Sequence, residues 1–99
     1  MKQYTTPDIT ILLPGAADLL SAATLIVVTL KGKRTIDLAK DDLTVEGETI
    51  TFRLTQGQTG TLGPGTVKYE VTLGFADGTT MKTETDRFTI NEALRKETL

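Results

Sequence analysis

The sequence predicts an all-β domain: an antiparallel β-sandwich of the immunoglobulin or fibronectin type III kind, with about seven short strands. Three observations carry this. Apolar and polar residues alternate in short runs, the period of a strand with one buried and one wet face. Turn residues punctuate those runs at regular spacing, at Pro14-Gly15, Gly32, Asp41-Asp42, Gly47, Gly63-Pro64-Gly65 and Asp77-Gly78. No stretch has the period of a long helix, and threonine, whose branched side chain suits strands, is common.

The 99 residues allow one core and not two. Residues 1–90 are read as the sandwich and residues 91–99 as a tail. Met1 to Pro7 is polar and is either loose or added to a sheet edge. Asp8 to Leu13 makes a first strand with Ile9, Ile11 and Leu13 on one face, ended by Pro14-Gly15. Ala16 to Ala23 is a turn of helix or a loop, with Leu19 or Leu20 plugging the end of the sandwich.

Thr24 to Lys31 is apolar on both faces. Ile26, Val28 and Leu30 are assigned to the core, which leaves Leu25 and Val27 outward, under a neighbouring segment or at a subunit interface. Lys31-Gly32-Lys33 is a solvated basic turn. Arg34 to Ala39 is a third strand with Ile36 and Leu38 inward. After the Asp41-Asp42 turn come a short strand, Leu43 to Glu46, and a longer one, Thr49 to Thr55, with Ile50, Phe52 and Leu54 on one face. Thr55-Gln56-Gly57-Gln58 has the capping-box pattern, in which hydroxyl and amide side chain satisfy each other's backbone N–H. It predicts one helical turn crossing between the sheets, followed by Leu62 as a core plug.

Thr66 to Ile90 organises the rest. Val67, Tyr69, Val71, Leu73 and Phe75 fall on one face. Asp77-Gly78 closes a hairpin, because Gly78 takes positive φ without steric cost. A turn over Ala76, Asp77 and Gly78 sets Phe75 opposite Thr79 and Leu73 opposite Met81. Met81, Thr83 and Thr85 then point inward, whereas Phe88 and Ile90 have the opposite parity. A one-residue slip exchanges the two faces of a strand, so a β-bulge is expected near Thr85 to Arg87. Asn91 can cap a short helix in the tail, which either frays or docks Leu94 and Leu99 on a partner.

Cysteine, histidine and tryptophan are absent. No disulfide framework exists, and the commonest general base and metal ligand is missing. A net charge of -2 with mixed signs argues against nucleic acid or an anionic membrane as partner. Asp8 precedes the apolar stretch from Ile9 to Leu30, and Pro14-Gly15 and Asp18 interrupt it, so neither a signal peptide nor a membrane span is read there, and synthesis in the cytoplasm is expected. Asp37, Asp41, Asp42, Glu46 and Glu48 form the densest acidic group, but their spacing is not that of a calcium loop. Ser21 is the sole serine and lacks a histidine partner. No catalytic, cofactor or metal site and no small-molecule substrate is expected. The antibody-type Cys…Trp…Cys landmark is absent, and Val67 stands where a tyrosine corner would place its tyrosine.

The stretch Leu54-Thr-Gln-Gly-Gln-Thr-Gly-Thr-Leu-Gly-Pro-Gly-Thr-Val-Lys-Tyr-Glu-Val-Thr-Leu-Gly-Phe-Ala-Asp-Gly-Thr79 resembles small structural proteins of phages and prophages of Gram-positive bacteria. Tyr4-Thr5-Thr6-Pro7 and Asp41-Asp42-Leu43 are similar too. The pattern resembles the N-terminal sandwich domain of phage baseplate upper proteins, though Gly74-Phe75 stands where that family often has a tryptophan. The resemblance implies a non-enzymatic virion, tail or baseplate component that contacts other phage proteins or copies of itself, with no cofactor. An adhesion-type binding module of a surface protein is the alternative. Leu25, Val27, Leu94 and Leu99 are the candidate interface residues.

Overall fold

A computed structural model describes residues 1–83 and 85–94. Among these residues eight strands form two antiparallel sheets, with the core between them. The smaller sheet has the order β1-β5-β4, from Asp8–Leu12 (β1), Thr49–Arg53 (β5) and Thr44–Glu46 (β4). The larger runs Thr35–Ala39 (β3), Leu25–Lys31 (β2), Gly65–Gly74 (β6), and then two strands that share one edge of β6, Thr80–Lys82 (β7) and Asp86–Ile90 (β8). In immunoglobulin lettering the first sheet holds B, E and D, and the second holds C′, C, F and G. Nothing among the described residues fills the place of strand A beside β1.

The faces follow the sequence pattern. Ile26, Val28 and Leu30 of β2 and Val67, Val71 and Leu73 of β6 are buried against Ile11, Ile50, Phe52 and Leu54. The sandwich ends are closed by helices. Ala17–Ala22 (α1) buries Leu20 and leaves Leu19 exposed. Gln56–Leu62 (α2) is longer than the single turn expected and crosses between the sheets. Its start is the predicted capping box: Gln58 N–H donates to Thr55 Oγ1 at 3.1 Å, and Thr55 N–H donates to Gln58 Oε1 at 2.9 Å. Its far end buries Leu62, whose carbonyl accepts from Lys33 N–H at 3.0 Å. Gly32 lies so close to that carbonyl that any Cβ would collide with it.

The N-terminal segment is tied down rather than loose. Lys2 forms a parallel bridge with Asn91, and Gln3 N–H donates to Asn91 O at 2.9 Å. The buried Gln3 side chain donates through Nε2 to Gly60 O (3.1 Å) and Gly63 O (2.6 Å), filling carbonyls that the end of α2 leaves free. Thr59, with no exposed surface, exchanges hydrogen bonds with the backbone of Thr5. Asn91 therefore serves as a strand partner and not as a helix cap. Residues 91–94 are not helical, and the rest of the tail, including Leu99, lies outside the described residues.

The hairpin turn forms as predicted. Phe75 N–H donates to Thr79 O, Gly78 N–H donates to Phe75 O, and Gly78 has φ +88°. Leu73 stands opposite Met81 and Val67 opposite Phe88. These two pairings differ in register by one residue. Between the Thr72–Lys82 and Tyr69–Asp86 pairs, β6 has residues 70–71 and the returning chain has residues 83–85. That extra residue is the bulge the parity demanded, beginning two residues earlier than expected. It splits the last strand in two, which is why there are eight strands rather than seven. At the bulge Thr83 N–H donates to Val71 O (2.9 Å), and Thr83 Oγ1 accepts from Val71 N–H (3.0 Å). A hydroxyl thus replaces the backbone carbonyl that the slip removes.

Two stability outcomes follow. Thr83→Val leaves a part-buried amide without its acceptor and is expected to cost about 1–3 kcal/mol in urea unfolding, whereas Thr83→Ser keeps the acceptor and costs less. Thr55→Ala is expected to cost about 1 kcal/mol through the lost cap, and Gly32→Ala about 1–3 kcal/mol through the collision with Leu62.

Candidate interaction surfaces

The two layers differ in width, three strands against a sheet carrying five, so the smaller sheet cannot cover the whole inner face of the larger. Met81 has the inward parity expected for it yet is 43 % exposed, because no strand of the small sheet lies over β7. It lines a groove with Leu13, Pro14, Ala16, Leu19 and Leu73. Leu19 is 40 % exposed there, so the groove carries apolar surface to solvent. A smaller, more polar cleft continues from Leu13 and Thr83 between the free edge of β1 and the bulged edge of the large sheet, with Thr10, Tyr69 and Asp86 among its walls. There Tyr69 O–H donates to Asp86 Oδ2 at 3.3 Å, and the Tyr69 ring meets Phe88 at 5.9 Å between centroids. Partial burial, reinforced by the Asp86 charge, raises the Tyr69 pKa.

Leu25 and Val27 point outward, as expected. Leu25 is 49 % exposed and leans across β6 where Gly74 leaves room for it. Val27 is half-buried in a row between Ala39 and Thr72. These two residues adjoin Thr29, Thr72 and Lys82 rather than a broad apolar face. Leu94 is fully exposed, beyond the opposite end of the sandwich. The structure therefore does not bring Leu25, Val27 and Leu94 together. The sequence placed Met81 inward and left Leu19 open, but its strand pattern held no sign that the sheet above them would be too narrow.

Charge is distributed unevenly along the strands. Lys31, Lys68 and Arg87 stand side by side in one row across β2, β6 and β8, on the outer face. Like charges directly opposite on neighbouring strands are destabilising. No carboxylate forms an ion pair with any of the three among the described residues. The acidic side chains of the middle sequence do not converge on one point among the described residues. Asp37 accepts from Thr29 Oγ1 at 2.7 Å, Asp42 accepts from Ala39 N–H at 3.3 Å, and no three acidic side chains among the described residues are grouped to hold a metal ion. No helix among the described residues is long and apolar enough to cross a membrane.

Two carboxylates are held below the usual range. Asp8 is lowered by its paired hydrogen bonds and charge interaction with Arg53 (2.8 and 3.0 Å). Asp77 is lowered by accepting from the hydroxyl and the amide of Thr79 (2.6 and 3.0 Å). A depressed folded pKa stabilises the fold above the unfolded pKa, about 3.9 for Asp, and that contribution is lost as pH falls through the folded value.

Comparison with known proteins yields no match to a family model, a curated protein or a solved structure.

For Asp77, titration followed by carboxyl NMR should give a pKa below that of an unstructured Asp, and Thr79→Ala should move it back upward. An unchanged midpoint in the variant would contradict the assigned cause.

Proposed function

We propose that the chain is a non-enzymatic structural or assembly protein of a phage-derived particle, acting through protein–protein contacts in a virion, tail or baseplate. The observation that carries the contact part of this reading is the row of Lys31, Lys68 and Arg87. Three like charges across adjacent strands, without an ion-pair partner among the described residues, work against the fold, and a surface that carries such a cost is suited to a partner that neutralises it. The apolar groove at Leu19 and Met81 offers a second contact of different chemistry. The phage part rests on the resemblance of residues 54–79, whose strand-end, turn and hairpin pattern is similar to that of small phage structural proteins.

The test is to induce particles from a host carrying the gene, purify them on a density gradient and quantify this chain by mass spectrometry. The proposal predicts a fixed stoichiometry with tail or baseplate proteins, and particles lacking part of that structure when the gene is deleted. Absence of the chain from both finished particles and assembly intermediates would contradict it.

A further inference from the structure

The two ends of the sandwich carry opposite charge. The acidic end is where β2 begins. Asp18 lies on α1 between β1 and β2, and Asp77 is at the hairpin tip beyond Gly74. Lys40 Nζ donates to Ala23 O at 3.3 Å, which fixes the turn of Asp41 and Asp42 at that end. Glu46 and Glu48 flank the β4–β5 turn there, since Leu13 N–H donates to Glu48 O at 2.8 Å. Two cations accompany these carboxylates: Lys40, and Lys82, which lines the groove at that end and pairs with Glu70 at 3.4 Å. The basic end is where β2 finishes. It holds the Lys31–Lys68–Arg87 row and the turn residues Lys33 and Arg34. Among the described residues its carboxylates are fewer: Asp8, taken by Arg53; Asp86, beside Tyr69; and Glu92.

Apolar surface follows the same axis. The groove of Leu13, Leu19, Leu73 and Met81 opens at the acidic end. At the basic end the fully exposed Leu94 projects beyond the Lys2–Asn91 bridge. From these features we infer that the chain docks head to tail on a second copy of itself. The basic end of one copy meets the acidic end of the next, and Leu94 enters the Leu19–Met81 groove. Complementary charge steers the encounter and fixes the orientation, and burial of Leu94, Leu19 and Met81 supplies the apolar contact. Each copy contributes a different surface, so the interface is heterologous and propagates into a ring or a filament rather than closing as a two-fold dimer. This deepens the structural-protein reading by naming one partner of the same chain.

Charge reversal tests it. One variant reverses the acidic end (Asp18→Lys, Asp41→Lys, Glu46→Lys), and another reverses the basic end (Lys31→Glu, Lys68→Glu, Arg87→Glu). Sedimentation velocity on the wild-type chain should show the average mass rising at least about twofold with concentration near 0.1 M salt. It should return to one chain near 1 M salt, where the screening length falls from about 10 Å to about 3 Å. Each variant alone should stay monomeric, and the two mixed should associate, because each then offers an end the other lacks. Leu94→Ser should weaken the wild-type association at least about tenfold.

A wild-type chain that is monomeric throughout overturns the inference. So does a dimer indifferent to salt and to both reversals. A monomer that instead retains a duplex oligonucleotide on the Lys31–Lys68–Arg87 row also overturns it. Should a triple variant not fold, the neutral changes Lys68→Gln and Asp41→Asn must each weaken association for the inference to stand. Failure here, with the chain still present in purified particles, would leave the structural-protein reading intact.

Discussion

One strand read in two registers governs this molecule. Over its outer half β6 pairs with β7 so that Leu73 meets Met81, and over its inner half it pairs with β8 so that Val67 meets Phe88. Strand parity makes these pairings incompatible without one extra residue, because a slip of one exchanges the two faces. The slip sits where the Thr83 hydroxyl can stand in for a backbone acceptor at Val71. It lets Ile90 reach the core, where it packs against Gly63 at the exit of α2. The Asn91 backbone is then placed beside Lys2, and the N-terminal segment can lie across α2, held there by hydrogen bonds from Gln3 Nε2 and through the Thr59 hydroxyl. Local chemistry at one bulge thus fixes the position of both termini of the described chain.

The second consequence is an open architecture. Strand A would normally lie beside β1, but the first residues go to the end of β8 instead. The edges of β1 and of the bulged β7–β8 strand therefore face one another across an unfilled cleft. Free edges invite pairing with other chains, and proteins blunt them with charges and bulges. Both devices occur here: Asp8 with Arg53 at the start of β1, and the bulge with Asp86 and Arg87 opposite. The apolar groove at Met81 lies just past these guards. Protection of the middle of the cleft and exposure at its end suit a molecule that accepts a partner at its ends rather than along its flank.

Much of the fold was legible in the sequence, because the rules involved are local. The alternation of β6, the Thr55–Gln58 box and the Asp77-Gly78 turn each act within a few residues, and each formed as read. The bulge was legible too, as a conflict of parity between Met81 and Phe88, although its position was not. That was decided by which residue could place a hydroxyl oxygen to accept from Val71 N–H, a contact across strands. The interaction surfaces were least legible. Leu25 and Val27 were identified as outward, but their row is broken by Thr72 and Lys82. The Lys31–Lys68–Arg87 row joins residues far apart in the chain, and it exists only once β2, β6 and β8 have found their registers. Leu19 and Met81 became a groove only because a three-stranded sheet covers a wider one.

The change of register along β6 is the central claim, and cross-strand NMR contacts test it most directly. The account predicts backbone contacts between Leu73 and Met81 together with contacts between Val67 and Phe88. If Val67 instead lay opposite Arg87, the hairpin would run in a single register and no bulge would exist. Phe88 and Ile90 would then face solvent, and the account of the core, the termini and the cationic row would fall with it.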